Sequence, residues 1–149
     1  MLLEGKQEDR GKYMNQVILI AHGNLALEMK ASAQIIFGEL EGFKALPFLS
    51  EEGLESISDK IVQELQNHNG DTLIFTDILY GTPYNASSAV AIRYKENKVE
   101  VVSGMSLPLV IELGIILQTM SVSELAKTIE QLSSKVVKRF VLENLEEED

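Results

Sequence analysis

A chain of 149 residues is long enough for one domain with a real core, and 45% hydrophobic content argues against disorder. A net charge of −10 disfavours nucleic acid as a partner, and the absence of cysteine removes disulfides, thiolate catalysis and the usual zinc sites. No apolar run approaches the length of a membrane span, and residues 1–10 lack the apolar core of a signal peptide, so a cytoplasmic protein is expected.

Residues 1–14 read as a polar lead-in, residues 15–145 as the domain, and residues 146–149 as an acidic tail. Residues 17–20, Val-Ile-Leu-Ile, are a β-favouring apolar run too short for a buried helix and suited to a strand covered on both faces. The run ends at His22-Gly23, where Gly23 permits a tight turn and Asn24 can cap the next helix. Residues 25–37 are rich in helix formers and stop at Gly38. Residues 43–49 predict a second strand, and Pro47 within it predicts a sheet edge, where a missing N–H does least harm.

Leu54, Ile57, Ile61 and Leu65 recur at helical spacing over residues 54–66, and Asn67 to Gly70 is a stop signal. His68 in that stop reads as a solvated helix-end residue. Residues 71–77 form the third predicted strand and 78–83 a loop, after which Thr82-Pro83 reads as a hydroxyl N-cap with proline at the first helical position. A fourth strand over 99–102 precedes an apolar helix at 107–117, and Ser121 with Glu124 matches a capping box that opens a last helix. Residues 136–142 carry β-branched and aromatic side chains that suit either a final strand or a continued helix. Strands alternating with helices imply an α/β fold, a doubly wound, mostly parallel open sheet.

Strand one ends in His22 and strand three in Asp77. In the 2-1-3-4 strand order these ends are neighbours where the winding reverses, and ligands bind in the crevice at such a point. Alone, a histidine in a loop is commonly just a loop residue, and an aspartate after a strand commonly caps a turn. Their joint occurrence at equivalent strand ends is the informative feature. A neutral imidazole offers one bare nitrogen as nucleophile, and a carboxylate on the other nitrogen fixes the tautomer and supports the charge that develops. A phosphoryl group already activated on another phosphohistidine would need no third catalytic residue. Helix N-termini after Gly23-Asn24 and at Thr82 would supply N–H donors for the phosphate, with the Thr82 hydroxyl either joining them or serving only as a cap. No Gly-x-Ser-x-Gly elbow, dinucleotide fingerprint or P-loop is present. The residues propose no metal ligand and no cofactor.

Three blocks resemble the enzyme IIA domains of the mannose-type bacterial sugar phosphotransferase system. They are Val-Ile-Leu-Ile-Ala-His-Gly at 17–23, Phe-Thr-Asp-Ile-Leu-Tyr-Gly-Thr-Pro-Tyr-Asn-Ala at 75–86, and Val-Val-Ser-Gly-Met-Ser-Leu-Pro-Leu at 101–109. The resemblance implies a phosphotransferase component that carries a phosphoryl group on His22, with Asp77 orienting the imidazole and Gly23, Asn24 and Thr82 around the phosphate. It implies phospho-HPr as donor, a IIB component as acceptor, and a membrane IIC/IID complex as the eventual sugar carrier. It also implies a homodimer in which a C-terminal edge strand, here residues 137–142, is exchanged antiparallel between subunits. The family pattern commonly has two glycines before the Ser/Thr-Pro, a hydroxyl residue after the aspartate and an aromatic residue after His-Gly. This sequence has Tyr80, Ile78 and Asn24 at those points.

Two rival readings have different chemistry. One is the phosphotransfer subunit of a dihydroxyacetone kinase, whose histidine block usually lacks the His-Gly pair. The other is a non-catalytic α/β binding module, since fold alone does not fix function. A response receiver would need an acidic pair after strand one, where this chain has Ala21-His22-Gly23.

Overall fold

Continuous apolar runs become central strands when helices cover both sheet faces, and β1 is the clearest case. In a computed structural model that describes residues 13–143, β1 (Gln16–His22) is buried from Gln16 to Ala21. It is followed by α1 (Leu25–Phe37), β2 (Phe43–Phe48), α2 (Leu54–Gln66), β3 (Thr72–Thr76), α3 (Thr82–Arg93), β4 (Val99–Val102), α4 (Leu107–Ile116) and α5 (Val122–Leu132), then a 3-10 turn at Ser133–Lys135. All strand ladders are parallel and the order is β2-β1-β3-β4, the order expected for this doubly wound sheet. Pro47 does lie on an edge strand.

Alternate residues of the sheet feed two cores. Val17, Leu19 and Ala21 of β1, with Leu73 and Phe75 of β3, pack against α1, α4 and α5. Ile18, Ile20 and Ile74 face the other way, onto Ile57, Ile61 and Leu65 of α2 and Ala86 and Val90 of α3. The expected capping box is present: the Ser121 hydroxyl accepts from the Glu124 N–H, and the Glu124 carboxylate accepts from the Ser121 N–H.

Several local expectations change. Gly81, not Thr82, is the N-cap of α3, which puts Thr82 in the first turn and Pro83 one place further in. Asn24 occupies the N-cap position of α1, but its side chain makes no capping bond. His68, just past the end of α2, is partly exposed, and its Nε2 lies 2.6 Å from the Met14 carbonyl. Residues 137–141 form neither strand nor helix in the single chain, because a strand needs an edge to pair with and this segment meets none. Most of the polar lead-in (residues 1–12) and the acidic tail at 146–149 lie outside the described residues. Asn15, the first residue of the expected domain, is buried and tied by its side-chain amide to the Leu117 and Met120 carbonyls at 2.8 Å each.

Candidate functional site

The site is built where the ladder between β1 and β3 runs out. Its last rung pairs Ile20 with Thr76, so His22 and Asp77 stand just beyond it at the carboxyl ends of adjacent strands. That is the point where the chain winds to β2 on one side and to β3 and β4 on the other.

His22 Nδ1 is 2.8 Å from Asp77 Oδ2, and the His22 backbone N–H donates to the same oxygen at 3.0 Å. The other carboxylate oxygen, Oδ1, accepts the Ile78 N–H at 2.9 Å. Burial opposes ionisation of Asp77 and is the largest single influence on it. The His22 N–H, the imidazole and the Ile78 N–H together outweigh that burial and hold the carboxyl below its usual range. An ionised carboxylate only accepts hydrogen bonds, so Nδ1 of a neutral His22 must carry the proton. Nε2 is then bare, on a side chain that is half exposed while the Asp77 side chain retains only 14% exposure.

Two further residues shape the imidazole, and neither belongs to the expected set. Phe48, paired with His22 across the parallel register, meets the ring edge-on at 5.5 Å between centroids. Gly81 lies on another side. A Cβ there would come within 3.2 Å of His22 Cε1 and 2.7 Å of Ile78 Cγ2, so this position admits no side chain without displacing its neighbours. The signal for Gly81 was in the sequence, as the second glycine of the family pattern. Phe48 had none, because its role comes from register.

Gly23 takes φ +62, the left-handed geometry that glycine adopts freely. Its N–H donates to the Phe48 carbonyl at 2.7 Å and its carbonyl accepts the Phe48 N–H, which pins the loop after His22 to the edge strand. The first intrahelical bond of α1 is Glu28 N–H to Asn24 carbonyl, and that of α3 is Asn85 N–H to Gly81 carbonyl. The N–H groups before those bonds have no partner within their helices. They sit at the same end of the sheet as His22, and the dipoles of both helices make that end favourable for an anion. Thr82 stands in the first turn of α3, immediately after the glycine that abuts the imidazole. Among the described residues no group of three His, Cys, Asp or Glu side chains could hold a metal ion, and no helix is long and apolar enough to cross a membrane.

The family model of the PTS system fructose IIA component, EIIA-man, matches residues 16–130. The chain belongs to this family. It is an EIIA component of the mannose family of the sugar phosphotransferase system, as the three sequence blocks imply. This EIIA chain is 35% identical over 139 residues to the sorbose-specific EIIA component of Lacticaseibacillus casei, covering 90% of this chain and 99% of that one. A mannose/sorbose-specific IIA subunit from Enterococcus faecalis superposes with a TM-score of 0.78 at 31% identity, over 86% of this EIIA chain and 96% of its own. An EIIA from Streptococcus agalactiae gives a TM-score of 0.80 at 26% identity, over 85% and 98% respectively. These relatives are sugar-transport components, which favours the mannose-type EIIA reading over a dihydroxyacetone kinase subunit or a binding-only module.

Proposed function

We propose that this protein is a phosphohistidine carrier: His22 takes a phosphoryl group from phospho-HPr and passes it to a IIB component during sugar uptake. The observation that carries the reading is the 2.8 Å contact between His22 Nδ1 and Asp77 Oδ2, which leaves Nε2 bare and exposed. In the transfer, a bond forms from Nε2 to phosphorus as the phosphorus–nitrogen bond of phospho-HPr breaks. The HPr imidazole leaves with the electron pair of that bond. His22 gains positive charge as Nε2 is substituted, and the Asp77 carboxylate beside Nδ1 compensates it. The reverse sequence of events hands the group to IIB.

The phosphate would sit among the free N–H groups at the starts of α1 and α3, with Asn24 and Thr82 on its rim. Because the Gly23 N–H already serves the Phe48 carbonyl, the contribution of Gly23 is open space and a left-handed turn, not a donor. Thr82, freed from a capping role, can offer its hydroxyl to the phosphate. We assign the domain to residues 15–145 and its location to the cytoplasm, where HPr would meet it.

A homodimer by exchange of residues 137–142 is part of the same proposal. Val137, Phe140 and Leu142 are exposed in the single chain, and among the described residues β4 is an open sheet edge. A cavity of about 430 Å³ lies along that edge, lined in part by Glu100, Val101, Val102 and Ile129. An antiparallel strand from a second copy would complete the edge and cover the half-buried Val101 and Val102, as a symmetric closed contact.

The test is phosphorylation by phosphoenolpyruvate with purified enzyme I and HPr, read by intact mass and peptide mapping. The expected result is one acid-labile phosphoryl group on the His22 peptide of the wild type and none on folded His22→Ala. Labelling of His22→Ala equal to wild type would overturn the assignment.

A further inference from the structure

We infer that Asn85 is a positioning residue for the His22 site, acting as a clamp on a left-handed turn at Tyr80. For its kinetic readout this rests on the carrier reading above.

The segment between β3 and α3 closes a turn in which the Gly81 N–H donates to the Ile78 carbonyl at 3.2 Å. Tyr80 is the third residue of that turn and has φ +65, the one positive φ of a non-glycine residue among those described. A side chain on Cβ disfavours this region, and turns that need a positive φ at the third position take glycine there. Glycine would adopt this φ without a steric penalty, whereas this chain holds it with a tyrosine. Such strain persists only where the surroundings over-determine it.

Burial does not hold Tyr80, which is 75% exposed. Two contacts do. The Asn85 side-chain amide reaches back from the first turn of α3 and donates to the Tyr80 carbonyl at 3.1 Å. The Tyr80 ring meets Tyr84 edge-on at 5.9 Å. The Asn85 backbone N–H also donates to the Gly81 carbonyl at 2.9 Å, so one residue grips two successive peptide units of the turn.

What the turn supports is the site. At one end the Ile78 N–H holds Asp77 Oδ1. At the other, Gly81 abuts His22 Cε1. A relaxed turn would move the carboxylate and the wall of the imidazole together. Asn85 reaches His22 only through these intermediates, and in that sense it positions without touching the reacting atoms.

The experiment compares wild type, Asn85→Ala and Asn85→Ala/Tyr80→Gly by two readouts, taken well below the unfolding temperature. One is the initial rate of labelling by phospho-HPr. The other is the ¹⁵N shift pattern of the His22 imidazole at neutral pH, which reports its tautomer whether or not phosphorylation occurs. The expected result is a single Nδ1–H tautomer in wild type, a mixed tautomer in Asn85→Ala, and a labelling rate lowered about tenfold by the misplaced ring. Adding Tyr80→Gly should restore both, because glycine holds the left-handed φ without a clamp. Asn85→Leu, which keeps the size, removes the donor and adds no charge near the anion site, gives the same contrast if Asn85→Ala does not fold. An unchanged tautomer in Asn85→Ala, or a double variant no better than the single, overturns the clamp. A wild type that phospho-HPr cannot label would count against the carrier reading alone, with the ¹⁵N comparison still deciding the role of Asn85.

Discussion

His22 and Asp77 are 55 positions apart in the chain, yet the carboxylate of one accepts both the backbone N–H and the ring nitrogen of the other through a single oxygen. This double contact fixes main chain and side chain together, so the imidazole is set in place as well as in tautomer. The remaining oxygen is occupied by Ile78, which leaves the carboxylate little freedom to turn away.

Asp77→Asn should therefore keep the fold and slow phosphoryl acceptance. An amide can present either an N–H or a carbonyl to Nδ1, and it brings no negative charge to balance the substituted imidazolium. We expect the labelling rate from phospho-HPr to fall by about 10²-fold or more, by analogy with other carboxylate–histidine pairs. Rapid-quench labelling checks this, and a wild-type rate would remove Asp77 from the mechanism.

The lowered pKa of Asp77 has a stability consequence with a definite sign. A carboxyl held below its ordinary value of 3.8 in the folded state adds stability that is fully present above that value. The contribution is lost as pH falls through the depressed folded value. The gap in urea midpoint between wild type and Asp77→Asn should thus persist from about pH 7 to pH 5 and close only in more acid solution. A gap that instead closes between those two pH values would contradict the geometry.

Gly81→Ala tests the close approach to the imidazole. The new methyl would meet Ile78 Cγ2 at 2.7 Å and His22 Cε1 at 3.2 Å, so one or both must shift. Overpacking of this kind costs about 1–3 kcal/mol, and here part of the displacement falls on the His22 imidazole. The expected outcome is a lower melting temperature together with slower labelling.

Ser121→Ala is the matching control away from the site. It removes the hydroxyl that caps α5 and should cost about 1 kcal/mol of stability. The labelling rate should not change, because Ser121 caps a helix whose buried residues Val122, Leu125 and Ile129 pack into the core under the sheet. Thermal melts and the phosphorylation assay on one preparation separate the two effects.

Much of the architecture was legible from local pattern. Strands buried on both faces read as unbroken apolar runs, and Val17 to Ile20 and Leu73 to Phe75 were recognisable for that reason. The α2 stripe of Ile57, Ile61 and Leu65 and the Ser121 capping box arise from helical geometry within a few residues. The tail at residues 137–142 was not legible in the same way, since its composition suits a strand but a strand exists only against an edge. The cap of α3 was misplaced by one residue because Thr82-Pro83 fits either of two registers, and the turn through Tyr80 selects the one in which Gly81 caps.

By itself, the sequence determined which segments fold as strands and helices, that His22 lies at the end of one strand and Asp77 at or just past the end of another, and that three blocks resemble the mannose-type EIIA family. Those properties depend on spacing along the chain. Tertiary structure alone decided that Asp77 bonds Nδ1 of His22, that Phe48 and Gly81 wall the imidazole, and that Asn85 holds a left-handed Tyr80. These depend on strand order, ladder register and the shape of one turn, which bring together groups far apart in the chain or facing each other only in one backbone conformation.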